Sequence, residues 1–247
     1  MAQALVERSN RIAMQYVKIK DAIVEQIDAG MLMPRQKLPA ERKLAESFDT
    51  TRVTLREALS LLEAEGKIYR EDRRGWFISP APLRYDPTQT LNFTNMALSQ
   101  NRQPKTELIA AKAVIANKQA TRLLKLKPFS DVYRVDRVRY LDNRPVVYVT
   151  NYVRPELFPN LLNFDLSQSL TDLYREHYST QYQTIHYRIS TSSLLGEMAQ
   201  ALRATSGTPA MVVERVNYNQ EGELIDCDIE YWRHDAITIE SIAELKR

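Results

Sequence analysis

Arg137 and Arg139, in the run DRVRY, stand two residues apart, and on a β-strand such residues share a face. Two guanidinium groups on one face require anionic company. A phosphate, phosphonate or carboxylate held by both forks is one occupant; Asp136 or Asp142 on a solvated stripe is the other. A second charged run lies near the C-terminus, where IDCDIEYW alternates Asp226, Asp228 and Glu230 onto one face. Three carboxylates in a row need matching cations. A cationic group of a ligand, facing Asp226 or Glu230, is one match, and arginines of neighbouring strands are another. Trp232 follows, either to close a small pocket or to join the core.

A third cluster sits near the N-terminus. Thr51, Arg52, Thr54 and Arg56 crowd the first turn of a helical pattern whose leucines come later. A helix that enters the DNA major groove reads from that end, with arginine bonding guanine and threonine holding phosphate or a thymine methyl. Arg52 and Arg56 also form a like-charge pair four residues apart, which is unfavourable on a bare surface and points to an anionic partner. Further on, REDRRGWFISP sets Arg73 and Arg74 before Gly75. This is either a solvated turn or a basic tip that holds phosphate or enters a minor groove.

The elements that must carry these groups are legible in the hydrophobic pattern. Val17, Ile19, Ile23, Val24 and Ile27 predict a helix stopped at Gly30, and Pro34 and Pro39 break the loop after it. A short helix with Leu44, Ala45 and Phe48 inward precedes DTT, a cap for a helix with Val53, Leu55, Leu59, Leu61 and Leu62 inward. KIYREDRRGWFIS reads as a hairpin, with Phe77 and Ile78 packed on the core. Together these predict a winged helix-turn-helix domain over residues 1–80. Residues 81–92 hold two prolines and several polar residues, as a linker would. Over 93–247, six strands near 106–115, 132–141, 145–153, 184–192, 210–219 and 224–233 alternate with helices near 117–125, 169–178 and 193–203. LDNRP and NQEGEL mark hairpin turns, so the second domain is an α+β antiparallel sheet with helices.

The 247 residues carry a formal charge of +3, with 44% hydrophobic and 26% charged residues, a soluble globular balance. Cys227 is the only cysteine, which excludes an internal disulfide and argues against a cysteine zinc site. His177, His186 and His234 are scattered, without metal-ligand spacing. No metal, cofactor or catalytic residue is expected. The N-terminal run has no sustained apolar core and no segment approaches a membrane span, so a cytoplasmic protein is expected.

LPAERKLA, TRVTLREALSLLEAEG and RRGWFI resemble, in order and spacing, the N-terminal domain of the GntR family of bacterial transcription regulators. The resemblance implies double-stranded operator DNA as partner, a homodimer, and contacts from Arg42, Thr51, Arg52, Thr54, Arg56, Arg73, Arg74 and Gly75. Two departures stand out. Arg73 replaces the first wing glycine of many relatives, and Trp76 replaces a small residue.

Residues 93–243 resemble the UTRA effector domain of the HutC branch, whose fold is like that of chorismate lyase. The matching runs are Phe93–Thr94, DRVRYLDNRPVVYVTNYV, SLTDLY and IDCDIEYWRHD. The resemblance implies that Arg137 and Arg139 hold an anion together with Ser169 and the Phe93–Thr94 backbone. Thr171 stands where many relatives have tyrosine, and Val149 where many have glutamate. DRRGWFISPAPLRYDPTQ, QPKTELI and DCDIEYWRHDAITIE are most similar to phosphonate-utilisation regulators of PhnR type, which respond to 2-aminoethylphosphonate. The resemblance thus implies that effector, with its ammonium at Asp226 or Glu230. The same regulator sensing a sugar phosphate or other metabolite is the alternative. An enzyme like chorismate lyase, using the arginines on a dicarboxylate, is the alternative of another class.

Overall fold

The computed structural model describes residues 2–89 and 92–242, with side chains from Gln15 onward. Thr90 and Leu91 of the expected linker, and residues 243–247 of the expected effector domain, lie outside the described residues. The chain divides into two compact units, Met1–Pro82 with His234–Ala236, and Leu83–Arg233 with Ile237–Arg247.

In the first unit three helices, α1 (Ala2–Asp28), α2 (Glu41–Ser47) and α3 (Arg52–Ala64), precede a hairpin of β1 (Ile68–Glu71) and β2 (Gly75–Ile78). Helix α3 forms the centre because Leu55, Ala58, Leu59 and Leu62 recur at helical spacing, and all four are fully buried. They pack on Ile19 and Ile23 of α1, Leu44 and Ala45 of α2, and Ile68, Trp76 and Ile78 of the hairpin. Three residues expected inside are not: Val17 is 41% exposed, Val53 68% and Leu61 37%. Val53 and Leu61 stand two positions from Leu55 and Leu59, which at about 100° per residue turns them away from the core.

The hairpin pairs Tyr69 with Phe77 and Arg70 with Trp76. Alternation along β2 therefore sends Trp76 and Ile78 to the core. Phe77 faces the other way and stacks on Tyr69, ring centroids 5.4 Å apart. Trp76, not Phe77, is the aromatic residue that holds the wing to the helices.

The second unit opens with β3 (Leu83–Tyr85) and α4 (Phe93–Leu98), neither legible in the sequence pattern. Then come β4 (Pro104–Ile115), α5 (Lys118–Leu123), β5 (Asp131–Leu141), β6 (Arg144–Val153), α6 (Leu170–Tyr178), β7 (Tyr182–Ser193), α7 (Gly196–Ala201), β8 (Pro209–Asn219), β9 (Leu224–Arg233) and β10 (Ile237–Ile239). Six strands form an antiparallel sheet in the order β4-β5-β6-β9-β8-β7, which matches the strands and helices expected. Asp142 and Asn143, both at positive φ (52° and 67°), make the tight β5–β6 turn. Strand β3 pairs in parallel with β10, so residues 83–85 of the expected linker belong to this unit's own hydrogen bonding.

Register sorts the sheet into two faces. Val138, Tyr140 and Tyr148 face the α7 side, and Val132, Tyr152, Cys227 and Ile229 the α5 side of one face. On the opposite face Arg137 pairs across to Val149, Val149 to Glu230, Asn151 to Asp228, and Asp228 to Arg215. Helix α6 covers the end of that face through Leu170, Leu173 and Tyr174, packed with Val135, Val153 and Phe158.

Candidate functional site

Thr51 is the N-cap of α3, and its hydroxyl accepts the Thr54 amide at 3.2 Å. The two hydroxyls are also bonded, at 3.0 Å, and Thr54 is buried. Thr54, expected at DNA, is thus part of the cap. Arg52 and Arg56 do project outward, with side chains 61% and 57% exposed. Their expected mutual repulsion is relieved inside the chain. Glu41, at the start of α2, accepts Arg56 Nε at 2.8 Å through Oε2, and Arg52 Nη2 lies 3.8 Å from the same oxygen. The like-charge pair is therefore not by itself a sign of an external anion. Burial alone would raise the Glu41 carboxyl, but hydrogen bonds from Arg56 and Trp76 outweigh it and hold it below the ordinary range. Arg42 is exposed on the same helix as Glu41, 3.9 Å from Glu46.

At the wing tip Arg73 is fully projected, its side chain 93% exposed, with the backbone at φ 58°. Arg74 folds back instead. It is paired with Glu71, and its guanidinium lies 5.6 Å from the Phe77 ring. Gly75 takes φ 101°, a conformation that suits glycine. Of the two arginines expected at DNA, the geometry leaves Arg73 as the extended one.

In the second unit a cleft of about 390 Å³ opens between the β5–β9 face and the starts of α4 and α6. Phe93, Thr94, Arg137, Arg139, Ser169, Thr171, Glu230 and Trp232 line it, so eight of the nine expected ligand residues converge. The sequence pattern missed Lys105, Arg175 and Arg215, which also line it. Five cationic side chains thus face one carboxylate, Glu230. Four of the five have an intramolecular acid. Lys105 meets Glu107, Arg175 meets Asp172, Arg139 bonds Glu230 at 3.0 Å, and Arg215 bonds Asp228 at 2.7 Å.

Arg137 differs. It donates to the Gln168 carbonyl (3.0 Å) and to Asn151 Oδ1 (2.9 Å), both neutral, and its buried Nε has no hydrogen-bond partner. Only 2% of the residue is exposed. Burial, followed by the charge of Arg139, pushes its pKa down to about 10. A buried guanidinium held by carbonyls alone is poorly compensated, and an anion in the cleft would supply the missing charge. Ser169 caps α6 at the same place, accepting the Asp172 amide, so the first amides of a nine-residue helix begin at the cleft. Arg139 also lies 5.2 Å from the Phe93 ring, and Phe93 packs on Trp232.

Asp226 is the ninth residue, and it is not in the cleft. It is fully buried beneath it, accepting Tyr174 (3.0 Å), Tyr182 (2.8 Å) and Asn217 (2.7 Å). Burial, then the charge of Asp228, pushes its carboxyl up to about 6. The carboxylate row is therefore matched mainly from inside the sheet. Burial alone would raise Glu230, but Arg215 and then Arg139 hold it below the ordinary range. Trp232 is fully buried and gives its indole N–H to Glu230 at 2.7 Å, so it both closes the cleft and belongs to the core.

The chain thus combines a winged helix that exposes arginines with a sheet domain that holds a cation-rich cleft. Residues 15–78 match the model of the gntR family of bacterial regulatory proteins, and residues 99–238 that of the UTRA domain. The chain belongs to this family: it is a GntR-type regulator with a UTRA domain. It is 29% identical to the HTH-type transcriptional regulator YihL of Escherichia coli strain K12 over 223 residues, 89% of this chain and 94% of that one. It is 27% identical to the repressor NagR of Bacillus subtilis, over 90% of this chain and 92% of that one. Among solved structures, PhnF of Mycobacterium smegmatis shares the fold, with TM-score 0.65 and 24% identity over 92% of this chain and 100% of that one. No described helix is long and apolar enough to cross a membrane, and no described cluster of His, Cys, Asp and Glu could hold a metal ion.

Proposed function

We propose that this chain is a cytoplasmic, homodimeric repressor of HutC type that binds a pseudo-palindromic operator and is controlled by a small anion in the UTRA cleft. Dimer symmetry is mirrored in operator symmetry, with one winged helix per half-site. Arg42, Thr51, Arg52 and Arg56 meet DNA from the helices, and Arg73 from the wing. The single observation that carries the effector reading is Arg137, buried in the cleft wall with only neutral partners. Its natural complement is a phosphonate or phosphate, with Arg139 and the start of α6 as further donors.

The sequence resemblance to PhnR-type regulators makes 2-aminoethylphosphonate the leading candidate. Asp226 lies outside the cleft lining, so Glu230 is the carboxylate left to meet its ammonium. A second reading, a sugar phosphate, is favoured by a cleft of about 390 Å³, more than a two-carbon aminophosphonate fills, and by Gln89, Asn92 and Gln181 in its lining.

Calorimetric titration with 2-aminoethylphosphonate and glucosamine 6-phosphate separates the two. Arg137→Met, which keeps length and removes charge, is expected to abolish binding of whichever anion the wild type takes. Binding that survives Arg137→Met would overturn the anion site. Turnover of chorismate by the purified protein would favour the enzyme reading instead.

A further inference from the structure

Glu41 is an acid in the middle of a surface that has to approach phosphates. Its side chain is 14% exposed and sits at the start of α2. Its two oxygens divide the work. Oε2 accepts Arg56 Nε at 2.8 Å and has Arg52 at 3.8 Å. Oε1 accepts the indole N–H of Trp76 at 3.2 Å. Trp76 is itself fixed: it is 6% exposed in the winged-helix core, and the Arg70 guanidinium lies 5.5 Å from its ring. A rigid indole in the wing thus sets the position of a carboxylate, and the carboxylate sets the position of a recognition-helix arginine.

From this geometry we infer that Glu41, locked by Trp76, is a positioning residue that presents Arg56 for base reading and sets operator specificity. The inference rests on the DNA-binding reading above. Arginine has five N–H donors. Engaging Nε in the Glu41 bond leaves the four N–H of the two terminal nitrogens, the pair that makes an end-on bidentate contact with guanine O6 and N7. The bond also removes rotamer freedom from a side chain 57% exposed, so less is lost when a base is met. The cost is electrostatic, since a carboxylate near the DNA backbone lowers affinity for every sequence alike. A group that weakens all DNA binding but orients one base-reading fork favours the right sequence over the rest. Trp76 has the same logic: a small residue at that position would leave Oε1 without its donor.

The test uses the full chain and a duplex that the wild type enriches from a randomised library. Anisotropy then gives affinities for that duplex and for a scrambled one at matched salt. Glu41→Gln is expected to reduce the ratio of the two affinities at least tenfold, while scrambled binding stays equal or tightens. Trp76→Phe, which keeps the ring and loses the N–H, is expected to reduce the ratio in the same direction by a smaller factor. In an Arg56→Ala background both substitutions should have a much smaller effect on the ratio, the remainder being what Glu41 does for Arg52. An unchanged ratio in Glu41→Gln would overturn the inference. So would a parallel loss of both affinities, or an effect that persists undiminished without Arg56. If the wild type enriches no duplex, the DNA-binding reading fails and takes the inference with it.

Discussion

Arg73 holds a left-handed backbone conformation, φ 58°, that an L-residue adopts at a cost of roughly 1 kcal/mol. Its side chain is 93% exposed and has only Asp72 near it, at 3.7 Å. The exposed guanidinium makes no buried contact that would offset this strain. Arg73→Gly is therefore expected to raise stability by about 1 kcal/mol in denaturant unfolding. The same change should flatten the salt dependence of DNA binding by about two units of slope, the loss of one phosphate contact in each half-site of the dimer. A variant that is more stable yet binds DNA with an unchanged slope would remove Arg73 from the interface. The sequence disclosed this residue through an odd neighbour, an arginine where a glycine is expected. It could not disclose Glu41, because an acid in a helix is unremarkable until its distance to Arg56 and Trp76 is known. Nor did it separate Trp76 from Phe77: both are large and apolar, and only the register of β1 against β2 assigns their faces.

At the scale of elements, alternation in β9 told that Asp226, Asp228 and Glu230 share a face but not what they meet. Glu230 reaches the cleft, while Asp226 is closed off under Tyr174 of α6 and Tyr182 of β7. The difference depends on where α6 and β7 lie, which no local pattern records. It has a consequence for pH. Asp226 is pushed up to about 6 from the ordinary 3.8, by burial first and the charge of Asp228 second. Between about pH 4 and about pH 6 the native chain keeps a proton that the unfolded chain has released. Stability from this group is present below that window and is lost as pH rises through it, by up to about 3 kcal/mol at 1.36 kcal/mol per pH unit. Asp226→Asn can still accept from both tyrosines, and it has no carboxyl to titrate. The wild-type minus Asp226→Asn difference in urea unfolding should therefore fall across this window and stay flat above it. A difference that stays flat between about pH 4 and about pH 6 would mean that Asp226 is already ionised in the native state.

The chain divides into two compact units, and its sequence carries two periodicities: leucines at helical spacing before Pro82, alternation after it. What the sequence could not mark is how much a bound anion changes operator affinity. Linkage limits the answer. If the effector alters the equilibrium constant for operator by some factor, saturating operator must alter the constant for effector by the same factor. For an effector that neutralises Arg137, the expected factor is between about 5 and 150, the range common for coupled sites. Calorimetric titration of the effector into free protein and into protein saturated with operator measures one side of the cycle. Operator titration with and without effector measures the other. A factor well away from 1 on both sides, with operator affinity made indifferent to effector by Arg137→Met, would establish that the cleft controls the winged helix. Effector binding that is indifferent to operator would leave a DNA-binding protein and an anion-binding protein sharing a chain, with no energetic link between them.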